Sequence, residues 1–505
     1  MKVAVVGSGV SGLAATWLLN EYSSHEVHLY EADDRLGGHA NTVSFKRPGD
    51  KAHTPIDVDT GFIVFNPSTY PNFLRFLKLY PHLKSAIMPT EMTFSVSRDE
   101  GRFEWAGNNL RTVFCQPTRL VDRKMWRLLY DVLRFNACAR RLLAQPAHAG
   151  SAEISIGRYL EENGYSDAFR DDYLVLQFMS NHHLLQVTGK PPWLTLRGGS
   201  RVYVQHIISS IPKSQVHVST PVRSVSTASS PGDGKHKLIL EAASGERVGY
   251  DHVILACHSD TALEILRPGN ISDEEERILS AFTWNRNEAV LHSDVKLMPK
   301  RRLAWSCWNY LTRSAVGEGT GKLRANVNQV ALTYCMNQSQ HLSEAEHGPV
   351  LVTLNPPFEP DADKTVGKYK YDHPVLDAAA IRAQDEMHKI QNTRGISFAG
   401  AWLKYGFHED GFTSGLRAAL AVSGTPMLVE RDRFATDSTF ADDIRPPFEV
   451  KDADRPAEPA LAASIFDILE STGASEVLGS VFGLMLDVFR AVLLAILAMF
   501  LGVME

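Results

Sequence analysis

Residues 2–12 read KVAVVGSGVSG and lead into LAATWLLN at residues 13–20. The first five residues have the composition of a short buried parallel strand, and residues 12–20 have that of a helix. Gly7 allows a tight turn, Gly9 lets a phosphate approach the backbone, and Gly12 lets the helix pack closely on the strand. Because backbone N–H groups and the positive end of a helix dipole meet at this turn, the stretch predicts a dinucleotide site rather than a purely structural turn.

A second strand and an acidic residue follow at the spacing that such a site requires. Residues 26–32 read EVHLYEA, and Glu31 lies nineteen residues beyond Gly12. A carboxylate at that place accepts hydrogen bonds from the ribose hydroxyls of an adenosine and disfavours a 2′-phosphate. The candidate dinucleotide contacts in this part of the chain are Gly7, Gly9, Ser11, Gly12, Glu31 and Ala32.

The composition excludes several classes of function. The 505 residues are 44% hydrophobic and 22% charged, which is the composition of a folded globular protein, and the chain is long enough for two domains. The net charge of -6 shows no excess of basic residues of the kind that binds nucleic acid. The five cysteines show no CxxC spacing, which argues against disulfides and zinc and fits a reducing compartment. His182 and His183 lack partners at metal-ligand spacing, so no metal is expected. The N-terminus does not resemble a signal peptide.

A second glycine-containing segment lies near the other end of the chain. Residues 395–424 read GISFAGAWLKYGFHEDGFTSGLRAALAVSG, which predicts a strand, a loop and a helix that begins near residue 410. Taken alone, this pattern is equally typical of a glycine-lined helix packed on a sheet. Paired with the N-terminal turn, it indicates a second set of cofactor contacts, namely Gly400, Asp410, Gly411 and Phe412.

These segments, with ADDRLGGH at residues 32–39 and WLTLRGGSRVYV at residues 193–204, resemble the FAD-binding oxidoreductases of the flavin-containing amine oxidase and phytoene desaturase superfamily. The closest resemblance is to the flavoprotein module fused to plant cyclopropane fatty acid synthases and to its stand-alone microbial relatives. It covers roughly residues 1–425, and the two glycine-rich segments are its most specific parts.

The resemblance implies that the cofactor is FAD and says which parts of it the chain contacts. Arg35, Gly37, Gly38 and His39 would run along the pyrophosphate and ribose, where many relatives carry a basic residue at the place of His39. The backbone at Val222 would reach the adenine, although core packing explains Val222 equally well. The N-terminus of the late helix would lie beneath the flavin. No cysteine lies in the second segment, so the FAD is expected to be bound non-covalently, with His408 the one residue there that could form a covalent link.

The fold expected from the resemblance is α/β, with a discontinuous Rossmann-like FAD-binding domain, an inserted α+β substrate domain and a C-terminal hydrophobic helix. The FAD-binding domain would comprise residues 1–75, 195–280 and 390–425, and the substrate or cap domain residues 76–194 and 281–389. Residues 426–464 are rich in charge and proline and are assigned to a linker, and residues 465–505 to a hydrophobic tail.

The candidate catalytic residues lie beside the second segment. Aromatic residues here are typical of a flavin wall or of a core, and His408 and Tyr405 are the candidate catalytic residues. His408 with Glu409 and Asp410 forms the candidate proton-handling cluster, because histidine moves protons near neutral pH, and a solvated or capping role explains these residues at least as well. We expect hydride transfer from an apolar, fatty-acyl or other lipid substrate to the flavin. The alternatives are a flavin-dependent double-bond isomerase, an amine oxidase, or a non-catalytic flavoprotein partner of a lipid-modifying enzyme.

The C-terminal tail is the most hydrophobic part of the sequence. From Val477 to Met504, 28 residues carry only two charges, Asp487 and Arg490. A helix of that length measures about 42 Å, enough to cross a bilayer, but the two charges fall in mid-run. Spanning, interfacial insertion and packing against the enzyme all remain open at this point. We expect an intracellular, membrane-associated protein, and the sequence does not indicate an oligomeric state.

Overall fold

The computed structural model describes residues 1–49, 53–144, 156–167, 169, 192–227, 237–316, 323–325, 331–422, 444–452 and 460–502. His182 and His183 and most of the predicted linker lie outside these residues. The part of the chain between residues 2 and 255 contributes the strands β1 (Lys2–Val6), β2 (Glu26–Tyr30), β3 (Thr42–Phe45), β4 (Ile56–Asp59), β5 (Ile87–Thr90), β6 (Phe94–Arg98), β7 (Phe103–Ala106), β8 (Trp193–Leu196), β9 (Val216–His217), β10 (Val222–Thr227), β11 (Leu238–Ala242), β12 (Arg247–Tyr250) and β13 (His252–Leu255).

The later part of the chain contributes the strands β14 (Thr283–His292), β15 (Trp308–Thr312), β16 (Ser314–Val316), β17 (Leu323–Ala325), β18 (Ala331–Cys335), β19 (Leu351–Leu354), β20 (Thr365–Val375) and β21 (Ile396–Phe398). The described α-helices are α1 (Val10–Tyr22), α2 (Pro71–Leu79), α3 (Pro81–Ala86), α4 (Leu110–Val113), α5 (Arg123–Ala144), α6 (Ile156–Glu162), α7 (Arg201–Ser209), α8 (Ser259–Leu266), α9 (Asp273–Leu279), α10 (Met336–Ser339), α11 (Glu344–His347), α12 (Ala378–Glu386), α13 (His408–Ala421), α14 (Ala460–Ser471) and α15 (Ala474–Gly502).

A five-stranded sheet in the order β21-β13-β1-β2-β9 forms the centre of the cofactor region, and all of its strand pairs are parallel. Its strands are short apolar runs because both faces are covered by helices. Val3 and Val5 face one core, which α1, α2, α7 and α13 complete, whereas Ala4 and Val6 face the other, which α8, α9 and α12 complete. This is the Rossmann-like arrangement that the sequence predicts.

A seven-stranded sheet in the order β20-β14-β19-β18-β15-β6-β7 lies in the second region. Its pairs are antiparallel except for β15 with β6, which are parallel. Its strands come from residues 94–106 and 283–375, inside the two pieces assigned to the substrate domain. The strands of the parallel sheet likewise come from the three pieces assigned to FAD binding, and the domain boundaries themselves stay a prediction.

The tail forms two helices, α14 and α15, which pack on α5. Glu470 accepts a hydrogen bond from the Tyr130 hydroxyl at 2.5 Å, and Asp487 pairs with Arg123 at 3.0 Å. A Cβ atom on Gly483 would lie 2.4 Å from Arg123 Nε, so glycine allows this close approach. Among the helices that the structure describes, none has both the length and the apolar character needed to cross a membrane.

Candidate FAD site

The candidate site lies at the carboxyl edge of the parallel sheet, where neighbouring strands end together. β1 leads into Gly7, β13 into Ala256, and β21 into Ala399 and Gly400. Ligands of open parallel sheets bind at this edge because the loops and the helix N-termini that follow the strands meet there. Two glycine segments almost 400 residues apart in sequence therefore reach the same edge.

The first glycine turn has the geometry that a pyrophosphate requires. Gly7 has a φ of +102°, a backbone conformation that favours glycine, and a Cβ there would lie 2.7 Å from Ala256 O. A Cβ on Gly12 would lie 1.8 Å from Gly7 O. In contrast, a Cβ on Gly9 would meet nothing within 4 Å. Gly7 and Gly12 are thus required by packing, whereas Gly9 borders open space in which a pyrophosphate fits.

The two glycine segments meet through their helices. A Cβ on Gly411 would lie 2.6 Å from Val10 Cγ1, and a Cβ on Gly415 would lie 2.0 Å from Ser11 O. Glycine at both places lets α13 pack directly on the start of α1. The N-termini of two helices therefore lie side by side, and their dipoles favour an anionic group between them.

The acidic residue and the loop after β2 are fixed against the glycine turn. Glu31 Oε2 accepts hydrogen bonds from Ser8 N at 2.8 Å and Ser8 Oγ at 2.6 Å. Arg35 donates to Gly38 O at 2.9 Å, and Gly37 N donates to Ser8 O at 3.1 Å. Arg35 therefore holds the loop in shape, and the Gly37–Gly38 turn lies beside the phosphate-binding turn.

A cavity of about 300 Å³ runs from these turns to the seven-stranded sheet. The predicted site residues that line it are Gly9, Ser11, Gly37, Gly38, His39, Gly400 and His408. Those that do not line it are Gly7, Gly12, Glu31, Ala32, Arg35, Val222, Tyr405, Asp410, Gly411 and Phe412. Val222 begins β10, two residues after Thr220, whose N–H donates to Glu31 O at 2.8 Å. The contact of the Val222 backbone with the adenine stays a prediction.

His408 lies at the start of α13, inside the cavity wall. Its ring stacks on Phe62 with centroids 3.7 Å apart, and its Nε2 lies 2.9 Å from the Tyr203 hydroxyl. Desolvation by the surrounding rings lowers the pKa of His408 to about 3, so the imidazole is neutral at physiological pH. It can accept or donate one hydrogen bond there, and its part in catalysis stays a prediction.

The residues around His408 make structural contacts of their own, and their predicted parts in cofactor binding and catalysis stay predictions. Asp410 accepts hydrogen bonds from Phe407 N at 3.0 Å and Tyr405 N at 3.2 Å and so caps α13. Phe412 is fully buried in the aromatic core beside Trp17. Tyr405 is 56% exposed and lies outside the cavity lining, so its place gives no support to a catalytic role. Capping of α13 explains the aspartate at position 410, and core packing explains the phenylalanine at position 412.

Glu409 turns away from the cavity and holds another helix. Its Oε1 accepts a hydrogen bond from Asn72 N at 2.8 Å, and its Oε2 accepts one from Phe73 N at 3.0 Å. These are N–H groups of the first turn of α2, which have no partner inside their own helix. Burial raises the pKa of Glu409 to about 8 in spite of these donors.

Sequence reasoning missed several residues that line the cavity, in particular His258, Trp284, Tyr371 and His373. His258 could have been found, because it follows β13 by three residues and parallel strands end at the ligand-binding edge. Tyr371 and His373 lie on β20, and nothing in their local sequence separates them from other strand residues. Among the described residues no group of histidine, cysteine, aspartate or glutamate is arranged to hold a metal ion.

The comparisons with known proteins agree with this geometry. A family model described as flavin containing amine oxidoreductase matches residues 10–287, more than half of the chain. A CLA-producing fatty acid isomerase from P. acnes has a TM-score of 0.54 and 13% identity, over 82% of this chain and 97% of the other. Putrescine oxidase bound to putrescine has a TM-score of 0.52 and 16% identity, over 83% and 98%. Reduced UDP-galactopyranose mutase has a TM-score of 0.52 and 16% identity, over 84% and 94%. These likenesses establish the fold.

Proposed function

Because the chain belongs to the flavin containing amine oxidoreductase family and is therefore an FAD-dependent oxidoreductase, we propose that its substrate is apolar, with a fatty-acyl lipid as the best match. When bound, FAD supplies the hydride acceptor. The chain's own residues hold the cofactor through the Gly9 turn and the adjoining N-termini of α1 and α13. They also exclude water, because the inner wall beside His408 is formed by stacked aromatic rings such as Phe62.

The lining of the cavity is the observation that carries this proposal. Where the cavity meets the seven-stranded sheet, most of its wall is formed by apolar or aromatic side chains such as Met92, Trp308 and Leu354, and β20 adds the polar Asp372 and His373. Among the described lining residues the one carboxylate is Asp372, and it is paired with Arg286. A cationic amine would therefore find no free counter-charge, whereas an acyl chain would bury its CH₂ groups at about 0.8 kcal/mol each.

A flavin-dependent double-bond isomerase is the second candidate, since a protein described as a fatty acid isomerase shares this fold. An isomerase would use the same apolar cavity but return the hydride to another carbon of the substrate. The third possibility, a non-catalytic partner of a lipid-modifying enzyme, would use the site to hold FAD alone. Anaerobic titration of the yellow holoprotein with unsaturated acyl lipids separates these candidates.

In that titration we expect the flavin absorbance near 450 nm to bleach stoichiometrically with the oxidised substrate, a readout of hydride transfer. A rearranged double bond without lasting bleaching would favour the isomerase. Bleaching by aliphatic amines with none by lipids would contradict the apolar substrate and favour the amine oxidase. The absence of both bleaching and product with every lipid and amine would favour the partner protein.

Leu354→Glu tests the apolar wall directly. Leu354 ends β19 and is half-buried, so the variant is expected to fold and to keep its FAD. A carboxylate in the acyl path would cost about 2 kcal/mol and raise KM for a lipid by roughly 30-fold. A KM for the lipid that is unchanged in Leu354→Glu would contradict the proposal. Leu354→Met is the matched control and should behave like the native protein in steady-state assays.

We also propose that α14 and α15 attach the protein to a membrane surface and so bring the cavity to lipid. Large apolar side chains project from α15 into solvent, among them Leu484 and Met485, 65% and 64% exposed. The contacts to α5 leave this face uncovered, and the Arg123 partner neutralises Asp487. Exposed apolar surface of this extent marks an interaction site.

Replacing Leu484 and Val488 together with glutamate should abolish binding to vesicles. Burying the two native side chains in lipid contributes about 3 kcal/mol, so the affinity should fall by roughly 100-fold. Co-sedimentation with phosphatidylcholine vesicles measures it. Ile381→Glu places a single carboxylate at an exposed apolar residue of α12, away from α14 and α15, and should bind like the native chain. Equal sedimentation of the double variant would exclude this surface as the attachment site.

A further inference from the structure

Three histidines from separate parts of the chain line the cavity near the phosphate-binding turn. His39 follows the Gly37–Gly38 turn, His258 precedes α8, and His373 lies on β20. The ring of His39 lies 5.4 Å from that of His373 and 6.3 Å from that of His258. A Cβ on Gly38, the residue before His39, would lie 3.0 Å from Gly9 Cα. The cluster is therefore next to the place where a pyrophosphate fits.

This wall has no permanent positive charge. Among the described residues that line the cavity there is neither lysine nor arginine. The nearby Arg35 is engaged with Gly38 O and with Asp33. A pyrophosphate carries two negative charges, and burying them without compensation is costly. The helix dipoles and backbone N–H groups supply part of the compensation, and the histidines are the groups that can supply the rest.

We propose that His39, His258 and His373 form the pyrophosphate-facing wall of the FAD site, and that FAD binding is coupled to the uptake of a proton by this cluster. The inference rests on the proposed function, in which FAD is the cofactor, and it names the histidines that would neutralise the charge of the FAD pyrophosphate.

The surroundings keep the cluster neutral while no anion is bound. Burial lowers the pKa of His39, and the neighbouring His373, His258, His408 and Arg35 lower it further. Burial also lowers the pKa values of His258 and His373. The charged groups that face them are Asp260 and Asp372, which raise the pKa of His258, and Arg286, which lowers it. A pyrophosphate placed against the cluster would raise the pKa of each histidine.

Hydrogen bonding separates the roles of the three rings. Asn287 Nδ2 lies 2.8 Å from His373 Nδ1 and 3.1 Å from Asn285 O, and Asn287 Oδ1 accepts a hydrogen bond from Asn355. The amide nitrogen is thus the donor, which leaves His373 as a neutral ring with its proton on Nε2. The His258 ring stacks on Trp284 at 3.8 Å, an arrangement that stabilises a cation. His39 and His258 are therefore the proton acceptors, and His373 donates a neutral N–H.

The expected pH dependence follows from the sign of the shift. The pKa values are low in the free protein and higher in the complex, so binding takes up protons between the two values. FAD affinity is then greatest at low pH and falls as pH rises through the complex's pKa, by up to tenfold per pH unit for each proton. The pyrophosphate of FAD itself keeps both charges throughout this range.

Calorimetry on the native chain tests the proposal without a mutation. FAD and ADP-ribose are titrated from pH 6 to pH 8.5 in buffers of different ionisation enthalpy, which counts the protons taken up. Both ligands carry the pyrophosphate and should show uptake approaching one proton and a falling affinity. Riboflavin lacks the pyrophosphate and should show neither effect.

Two variants locate the protons. His39→Arg places a permanent charge beside the turn and should flatten the pH dependence of FAD affinity, while His258→Gln should reduce the proton count. His388→Gln, at an exposed histidine on the protein surface, is the matched control and should match the native curve. Tight FAD binding with a flat pH profile and no proton uptake would overturn the proposal while leaving the flavoprotein intact. A folded chain that binds no flavin would instead overturn the cofactor assignment, and this proposal with it.

Discussion

Gly9→Val should give a folded protein that binds no FAD, whereas Gly12→Ala should fail to give a stable fold. The two glycines belong to one turn, but their surroundings differ. The backbone of Gly9, with φ of -62° and ψ of 177°, is open to any residue, and its Cβ would point into the space available for the pyrophosphate. A Cβ on Gly12 would collide with Gly7 O at 1.8 Å.

Both substitutions should have large effects, but on different properties: Gly9→Val on FAD affinity and Gly12→Ala on folding stability. Valine is a weaker N-cap than glycine, so Gly9→Val loses about 1 kcal/mol of stability, but its side chain displaces the pyrophosphate and lowers FAD affinity by at least roughly 100-fold. Gly12→Ala overpacks backbone against backbone and loses about 3 kcal/mol or more. Circular dichroism, urea unfolding and flavin absorbance after reconstitution separate the two effects. A yellow Gly9→Val protein would show that the pyrophosphate lies elsewhere.

Glu409→Ala should lower the free energy of unfolding by about 3 kcal/mol, one of the largest losses for a residue outside the cavity. The carboxylate receives the N–H groups of Asn72 and Phe73, and its removal leaves both buried donors without their acceptor and opens a small void between α2 and α13. Urea unfolding at neutral pH measures the loss. Glu346→Ala, in the short helix α11 with the side chain 64% exposed, is the control and should change stability by less than about 0.5 kcal/mol.

The pH dependence of the same residue gives a second readout. The pKa of Glu409 is raised to about 8 in the folded chain. A raised carboxyl pKa contributes stability below the unfolded value and loses that contribution as pH rises through the folded value. Glu409→Gln removes the titrating group, so its unfolding free energy should fall less than the native one between about pH 4.5 and pH 8. Parallel curves for the two proteins would contradict the assignment.

The sequence was most informative where one short segment determines its own geometry. The strand, glycine turn and helix at residues 2–20 form as predicted because Gly7 and Gly12 are required by contacts within that unit and with β13. The second segment was placed correctly for a related reason, since Gly411 and Gly415 are needed where α13 meets α1.

The sequence was least informative where several distant segments meet. His39, His258 and His373 come from three elements, and no local pattern reveals that their rings lie together. Glu409 is a similar case, because its partners lie 336 and 337 residues away on α2 and only the folded chain shows that the carboxylate caps that helix. Asp410 and Phe412 have the residue types of a flavin site, but their side chains are used for capping and core packing.

The order of strands in the parallel sheet also bears on how the protein is made. β1 is translated long before β21, which begins at Ile396 and completes the same sheet. At about 5–20 residues per second, translation separates these two strands by roughly 20–80 seconds. During that interval the Gly7–Gly12 turn lacks α13, which packs on α1 in the folded chain. We therefore expect the chain to bind FAD only after β21 and α13 have been synthesised.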